Sequence, residues 1–184
     1  AEISLGAAWV HDVFDGKYEQ ASPSAVVDAI VSAKLLNRND AERCIRIGAS
    51  VSFTALEQRQ GADPETLPPE DIPLYRMVSD ADMLEAMGAI GVVRTCIYQS
   101  TRQPPDPAGG ICAASRYADE KLIRCVDFIA HPLAKREAEG RLRIMTMLTQ
   151  VLRDERKWIA RPPTAAASTP APKVKKSPRR PSSR

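Results

Sequence analysis

Two adjacent glycines, Gly109 and Gly110, stand a short way before Arg116. Glycine lets a backbone approach an anion closely, and the N–H groups at a following helix start would point at it. An arginine just behind could grip a phosphate through two parallel N–H bonds. Glu85 upstream, and Asp119 and Glu120 downstream, are carboxylates able to orient a water or a cation. The expected catalytic residues are therefore Glu85, Arg116 and Glu120. Gly109, Gly110 and Arg116 are the expected holders of cofactor phosphates. The plainer alternative is a loop end, a solvated Glu85 and an i,i+4 surface pair between Arg116 and Glu120.

Other reactive types are sparse. Cys44, Cys96, Cys112 and Cys125 form no C-x-x-C pair and have no adjacent histidine, so no zinc ligand set is expected. They read as free, mostly buried thiols of a reducing compartment, and a cytoplasmic location is expected. His11 has no partner nearby in sequence and reads as a surface residue. No run approaches the roughly 20 apolar residues that cross a bilayer.

The strongest charge signal lies at the C-terminal end. From Arg161 onward there are four arginines, three lysines, six prolines and no acid. That segment carries +7 against a whole-chain +3, so residues 1–160 are net −4. Too few apolar side chains remain there to form a core, so the tail is expected to be disordered. Lys173, Lys175, Lys176, Arg179, Arg180 and Arg184 are the expected contacts to nucleic-acid phosphates, sequence-blind and salt-sensitive. No aromatic residue is interleaved for base stacking.

The elements around these residues follow from periodicity. Leu5, Trp9 and Val13 share one face of a short first helix. Ser22-Pro23 opens a helix to Leu36, with serine as N-cap and proline at the first position. Ile45, Ile47, Val51 and Phe53 alternate with polar residues, which suggests a strand after a short helical turn. A helix-turn-helix centred on Gly48 is the minor alternative there. Residues 61–70 form a Pro-rich loop. Ile72–Val78 suits an edge strand with Pro73 near its start. A helix follows over 79–90, with Met83, Leu84, Met87 and Ile90 buried and Gly91 ending it. Val92–Tyr98 is rich in β-branched residues and suits a strand. Residues 103–110 form a loop, 114–129 a helix, and 133–158 a long helix with Leu142, Met145, Leu148 and Leu152 in a stripe. That long helix is also an expected protein-partner surface.

The order helix, Ile90-Gly91-Val92-Val93, strand, then Gly109-Gly110-Ile111-Cys112 leading to Arg116-Tyr117 resembles the ParB/sulfiredoxin (ParB/Srx) superfamily over residues 71–125. Departures are visible: Thr95 replaces the usual proline, the histidine after the cysteine is missing, and three extra residues separate the glycines from Arg-Tyr. The resemblance implies an α+β fold, a small mixed sheet with flanking helices, against an all-α alternative. The expected organisation is an N-terminal segment (1–60) packing on a central module with the long helix (61–160), then the tail (161–184). It also implies ATP and a divalent metal ion as cofactors, and Cys112 as a nucleophile only if a cation lowered its pKa.

Two functions follow as expectations. The first is a DNA-associated protein of a mobile element, of the conjugation or fertility-inhibition type, with nucleotide hydrolysis or nuclease activity. The second is a non-enzymatic structural or adaptor protein that binds nucleic acid through its tail.

Overall fold

Residues 2–14, 22–102 and 107–159 are described in the computed structural model of the chain. Among them every regular element is a helix. Helix α1 (Glu2–Val10) runs into a 3-10 turn at His11–Phe14. Helices α2 (Pro23–Ser32), α3 (Arg38–Ser50) and the short α4 (Phe53–Gln58) follow. Next come α5 (Ile72–Glu85), α6 (Gly88–Arg102) and α7 (Pro107–Glu120). A 3-10 turn at Leu122–Arg124 leads into α8 (Cys125–Phe128), and α9 (Pro132–Ile159) closes the described chain.

The mixed α+β expectation is thus corrected to the all-α alternative. The expected strand 72–78 is the first half of α5, where Pro73 occupies an N-terminal position that needs no N–H partner. Tyr75, Val78 and Met83 of α5 are buried, a helical spacing that the strand reading missed. The expected strand 92–98 lies inside α6. There Val92 faces the core while Val93 and Ile97 are exposed. The alternation near 45–53 is overridden as well: Ala41, Cys44, Ile45 and Gly48 give α3 one buried face.

The physical reason is one of magnitude. Strand and helix propensities differ by less than about 1 kcal/mol per residue. Burying a side chain such as Tyr75 or Met83 contributes about 1.5–3 kcal/mol. The available helical partner surface therefore decides the local conformation.

Other expectations held or moved by a few residues. Ser22 caps α2, accepting from the Ala25 N–H at 3.2 Å, but α2 stops at Ser32 rather than Leu36. Asn37 caps α3, accepting from the Asp40 N–H at 2.9 Å. The first helix exists, but its expected face is wrong. Leu5 and Trp9 are 62% and 80% exposed, while Ala7 and Val10 are buried. Gly91 sits inside α6 rather than ending a helix. The break falls at Gly88, whose φ of +81° favours glycine. The helix-turn-helix alternative also fails. Gly48 lies within α3, and Phe53 and Leu56 of α4 are buried, leaving no recognition face.

Helix α1 packs on α3 and α5. Helices α6, α7 and α9 pack against one another, and α5 touches both groups. One continuous core joins them, from Ala7, Cys44 and Ile47 through Tyr75, Met83 and Met87 to Leu122, Cys125 and Met145. Helix α9 matches the expected long helix, with Met145 fully buried and Leu142, Leu148 and Leu152 packed beside it.

Candidate functional site

Of the sequence-predicted site residues, Gly109, Gly110, Arg116 and Glu120 share helix α7, and Glu85 lies on α5. Gly109 and Gly110 lie not in a loop before α7 (Pro107–Glu120) but in its first residues, where backbone N–H groups lack intrahelical acceptors. Arg116 and Glu120 are exposed on α7 with no ion pair between them among the described residues. Asp119 is bound by Arg153 of α9. Glu85, at the end of α5, is held by Arg94 at 2.5 Å. The Cys112 side chain, and Lys173, Lys175, Lys176, Arg179, Arg180 and Arg184, lie outside the described residues.

A different cluster is assembled by the fold. His11 follows the last turn of α1, and its Nδ1 lies 2.7 Å from the Ala8 carbonyl, one of the orphan acceptors of a helix C-terminus. A cation is favoured at that end of a helix. His11 Nε2 is 3.4 Å from Asp12 Oδ1 and 3.5 Å from Asp82 Oδ1 of α5. The three side chains are 17%, 69% and 29% exposed, so the imidazole is sheltered while both carboxylates reach water. The Asp82 bond, opposed by desolvation and aided by the Ala8 carbonyl and the two carboxylate charges, raises His11 to about 9.

Tight packing seats this histidine. A Cβ added at Gly48 of α3 would stand 3.0 Å from the Ala7 carbonyl, 3.1 Å from Val10 Cγ2 and 3.4 Å from His11 Cα. Only glycine at that point lets α1 lie so close to α3.

Asp80, one short step before Asp82, is buried. Its two oxygens accept from the Ala130 and His131 N–H groups at 2.9 and 2.8 Å. It ties α5 to the loop between α8 and α9. Cys125, the first residue of α8, is also buried. Cys44, Cys96 and Cys125 are free thiols. Burial raises all three pKa values, Cys125 to about 12, so none is a ready nucleophile.

A second charged centre is structural. Asp71, fully buried just before α5, accepts two bonds from Arg43 at 3.0 and 2.6 Å and one from Arg46 at 2.9 Å. Burial pushes its carboxyl up, but the two guanidinium groups outweigh this and hold it below the usual carboxylate range.

Similarity to solved structures points in one direction. The chain resembles Bacillus subtilis YpgQ in its selenomethionine form, with 29% identity, a TM-score of 0.66, and coverage of 83% of this chain and 76% of that one. YpgQ in complex with ADP matches at 27% identity and a TM-score of 0.62, covering 83% and 75%. An HD-superfamily hydrolase from Bacillus thuringiensis matches at 25% identity and a TM-score of 0.54, covering 86% and 74%. No family model matches the chain, and no curated protein does.

The ParB/Srx resemblance is overturned. That superfamily needs a mixed sheet, whereas these neighbours align with a chain whose described elements are all helical. Neither DNA nor conjugation figures among them. No helix among the described residues is long and apolar enough to cross a membrane.

A divalent ion, expected earlier, can be tested against the residues. One imidazole and two carboxylates are suitable donors. Here, however, they are spent on one another and on the Ala8 carbonyl. Among the described residues no group of three or more His, Cys, Asp or Glu is arranged to hold a metal ion. The described donors alone do not fit one.

The missed signal was local. A His-Asp dipeptide at a helix end, and Asp80 with Asp82 inside helix α5, were both legible as types. Their meeting was not.

Proposed function

We propose that this protein is a phosphohydrolase acting on a nucleotide, with His11, Asp12 and Asp82 at its reactive centre. The observation that carries this reading is the half-sheltered His11 imidazole bracketed by two solvent-reaching carboxylates. The likeness to a protein crystallised with ADP and to an HD-superfamily hydrolase supports the substrate class.

The chemistry assigned to these groups is hydrolysis at phosphorus. Asp12, the most exposed of the three, orients and deprotonates the attacking water. His11, protonated at neutral pH, gives its proton to the oxygen leaving phosphorus as that P–O bond breaks. Asp82 holds the imidazole in place and stabilises its charge, and the Ala8 carbonyl fixes the ring through Nδ1. Asp80 positions Asp82 by pinning α5 to the α8–α9 loop.

The test is phosphate and pyrophosphate release from nucleoside mono-, di- and triphosphates by the full chain, with and without added magnesium or manganese. Turnover by wild type, lost at least 100-fold in His11→Gln and Asp82→Asn, is expected. Wild type inert on every nucleotide under both conditions overturns the reading.

A further inference from the structure

Arg43, Arg59, Lys121, Lys135, Arg141 and Arg153 are the half-buried lysines and arginines of the described residues. Five of them hold oxygen acceptors. Arg43 binds Asp71, Arg59 the Ala62 carbonyl and Tyr75 hydroxyl, Lys135 the Val126 carbonyl, Arg141 Glu137 and the Leu84 carbonyl, and Arg153 Asp119. Lys121 has no oxygen partner among the described residues. Its Nζ instead sits 5.0 Å from the Phe53 ring centroid and 5.5 Å from that of Tyr117. Phe53 is itself fixed edge-to-face on Phe128, with centroids 5.5 Å apart.

Aromatic faces attract a cation but offer its three N–H donors no lone pair. A partly desolvated ammonium held this way is a donor set without an acceptor. The neighbouring Arg124 lies over the same Phe53 ring but is already paired with Glu57.

Position connects this cation to the proposed centre. Cys125 Sγ lies 4.0 Å from the Lys121 carbonyl oxygen. Helix α8, which Cys125 begins, packs on α5, the helix that carries Asp82. Phe53, the ring under the ammonium, begins α4 five residues after Gly48, the α3 residue packed against His11.

We propose that Lys121 is the phosphate-holding residue of the site: its ammonium takes a substrate phosphate oxygen while Phe53 and Tyr117 hold its stem in place. This rests on the phosphohydrolase reading, and it adds the residue that recognises the anion. A phosphate there replaces the missing acceptor, and its charge is matched by a cation that no acid among the described residues pairs with. The nucleobase is not stacked by these two rings, because their faces are already used by the lysine.

Equilibrium titration of ADP, inorganic pyrophosphate and adenosine into the full chain tests this. The variants are Lys121→Met, which keeps the apolar stem on the rings, Lys121→Arg, and Lys34→Ala as an exposed control. Lys121→Met should weaken ADP and pyrophosphate at least about 10-fold. Lys121→Arg should recover most of that loss, and Lys34→Ala and adenosine binding should be unchanged. Lys121→Met binding ADP and pyrophosphate as wild type does, or wild type binding neither, overturns the proposal. Wild-type hydrolysis with kcat and KM unaltered in Lys121→Met overturns this assignment and leaves the hydrolase reading standing. Lysine-dependent binding without any hydrolysis does the reverse.

Discussion

His11 Nε2 stands 3.5 Å from Asp82 Oδ1, joining the end of α1 to the middle of the core helix α5. That contact couples the protonation of one side chain to the fold. His11 is raised in the folded protein from 6.5 to about 9. The folded state therefore binds the proton more tightly than the unfolded chain. The stabilisation is complete below pH 6.5 and is lost as pH rises through about 9, by at most about 3 kcal/mol. Denaturant unfolding between pH 6 and 10, in chelator so that no cation competes, should show this decline. Asp82→Asn should flatten it. A wild-type profile with no fall between pH 6.5 and 9.5 would refute the coupling.

The acid side is governed by a different pair of helices. Asp71 is depressed below 3.8 by Arg43 and Arg46 against the opposing effect of its burial. Its contribution is present above that value and is lost as pH falls through the folded pKa. Asp71→Ala should cost about 3 kcal/mol, the low end for a broken buried pair, because both guanidinium groups still reach water. It should also remove the stability loss below pH 4. Unfolding curves at pH 7 and pH 3 check both parts.

Asp80 should behave as an anchor. Asp80→Ala leaves the Ala130 and His131 N–H groups without their acceptor and should cost about 2–3 kcal/mol. Asp80→Asn keeps one acceptor oxygen and should recover part of this. Amide exchange at residues 130 and 131 should speed up in Asp80→Ala before exchange elsewhere does. Unchanged protection at those two amides would contradict the anchoring role.

Gly48 should couple packing to activity. Gly48→Ala places a methyl 3.0 Å from the Ala7 carbonyl, and overpacking of this kind costs about 1–3 kcal/mol. It also pushes on the backbone of His11. Thermal unfolding should report the stability loss. Nucleotide hydrolysis, measured well below the new midpoint, should fall in kcat with little change in KM. Full activity in a destabilised Gly48→Ala would separate the packing from the site.

The elements that the sequence determined by itself are those with unambiguous local signals. Ser22-Pro23 announces the start of α2, because a serine acceptor and a pre-set proline φ need no distant help. The long amphipathic repeat over 133–158 is α9 within a residue or two, because so many turns agree on one face. Short apolar runs carried no such agreement. Ile72–Val78 and Val92–Tyr98 satisfy either period over their length, and the strand reading followed β-branched content. The tertiary structure decided these as helices, since a helical surface was there to bury Tyr75, Met83 and Val92. It alone also decided the site. His11 read as solitary because its partner Asp82 lies far along the chain, and nothing in the sequence singled out Lys121. Each gains its chemistry from what packing brings beside it: a carboxylate for the imidazole, and two aromatic faces with no acceptor for the ammonium.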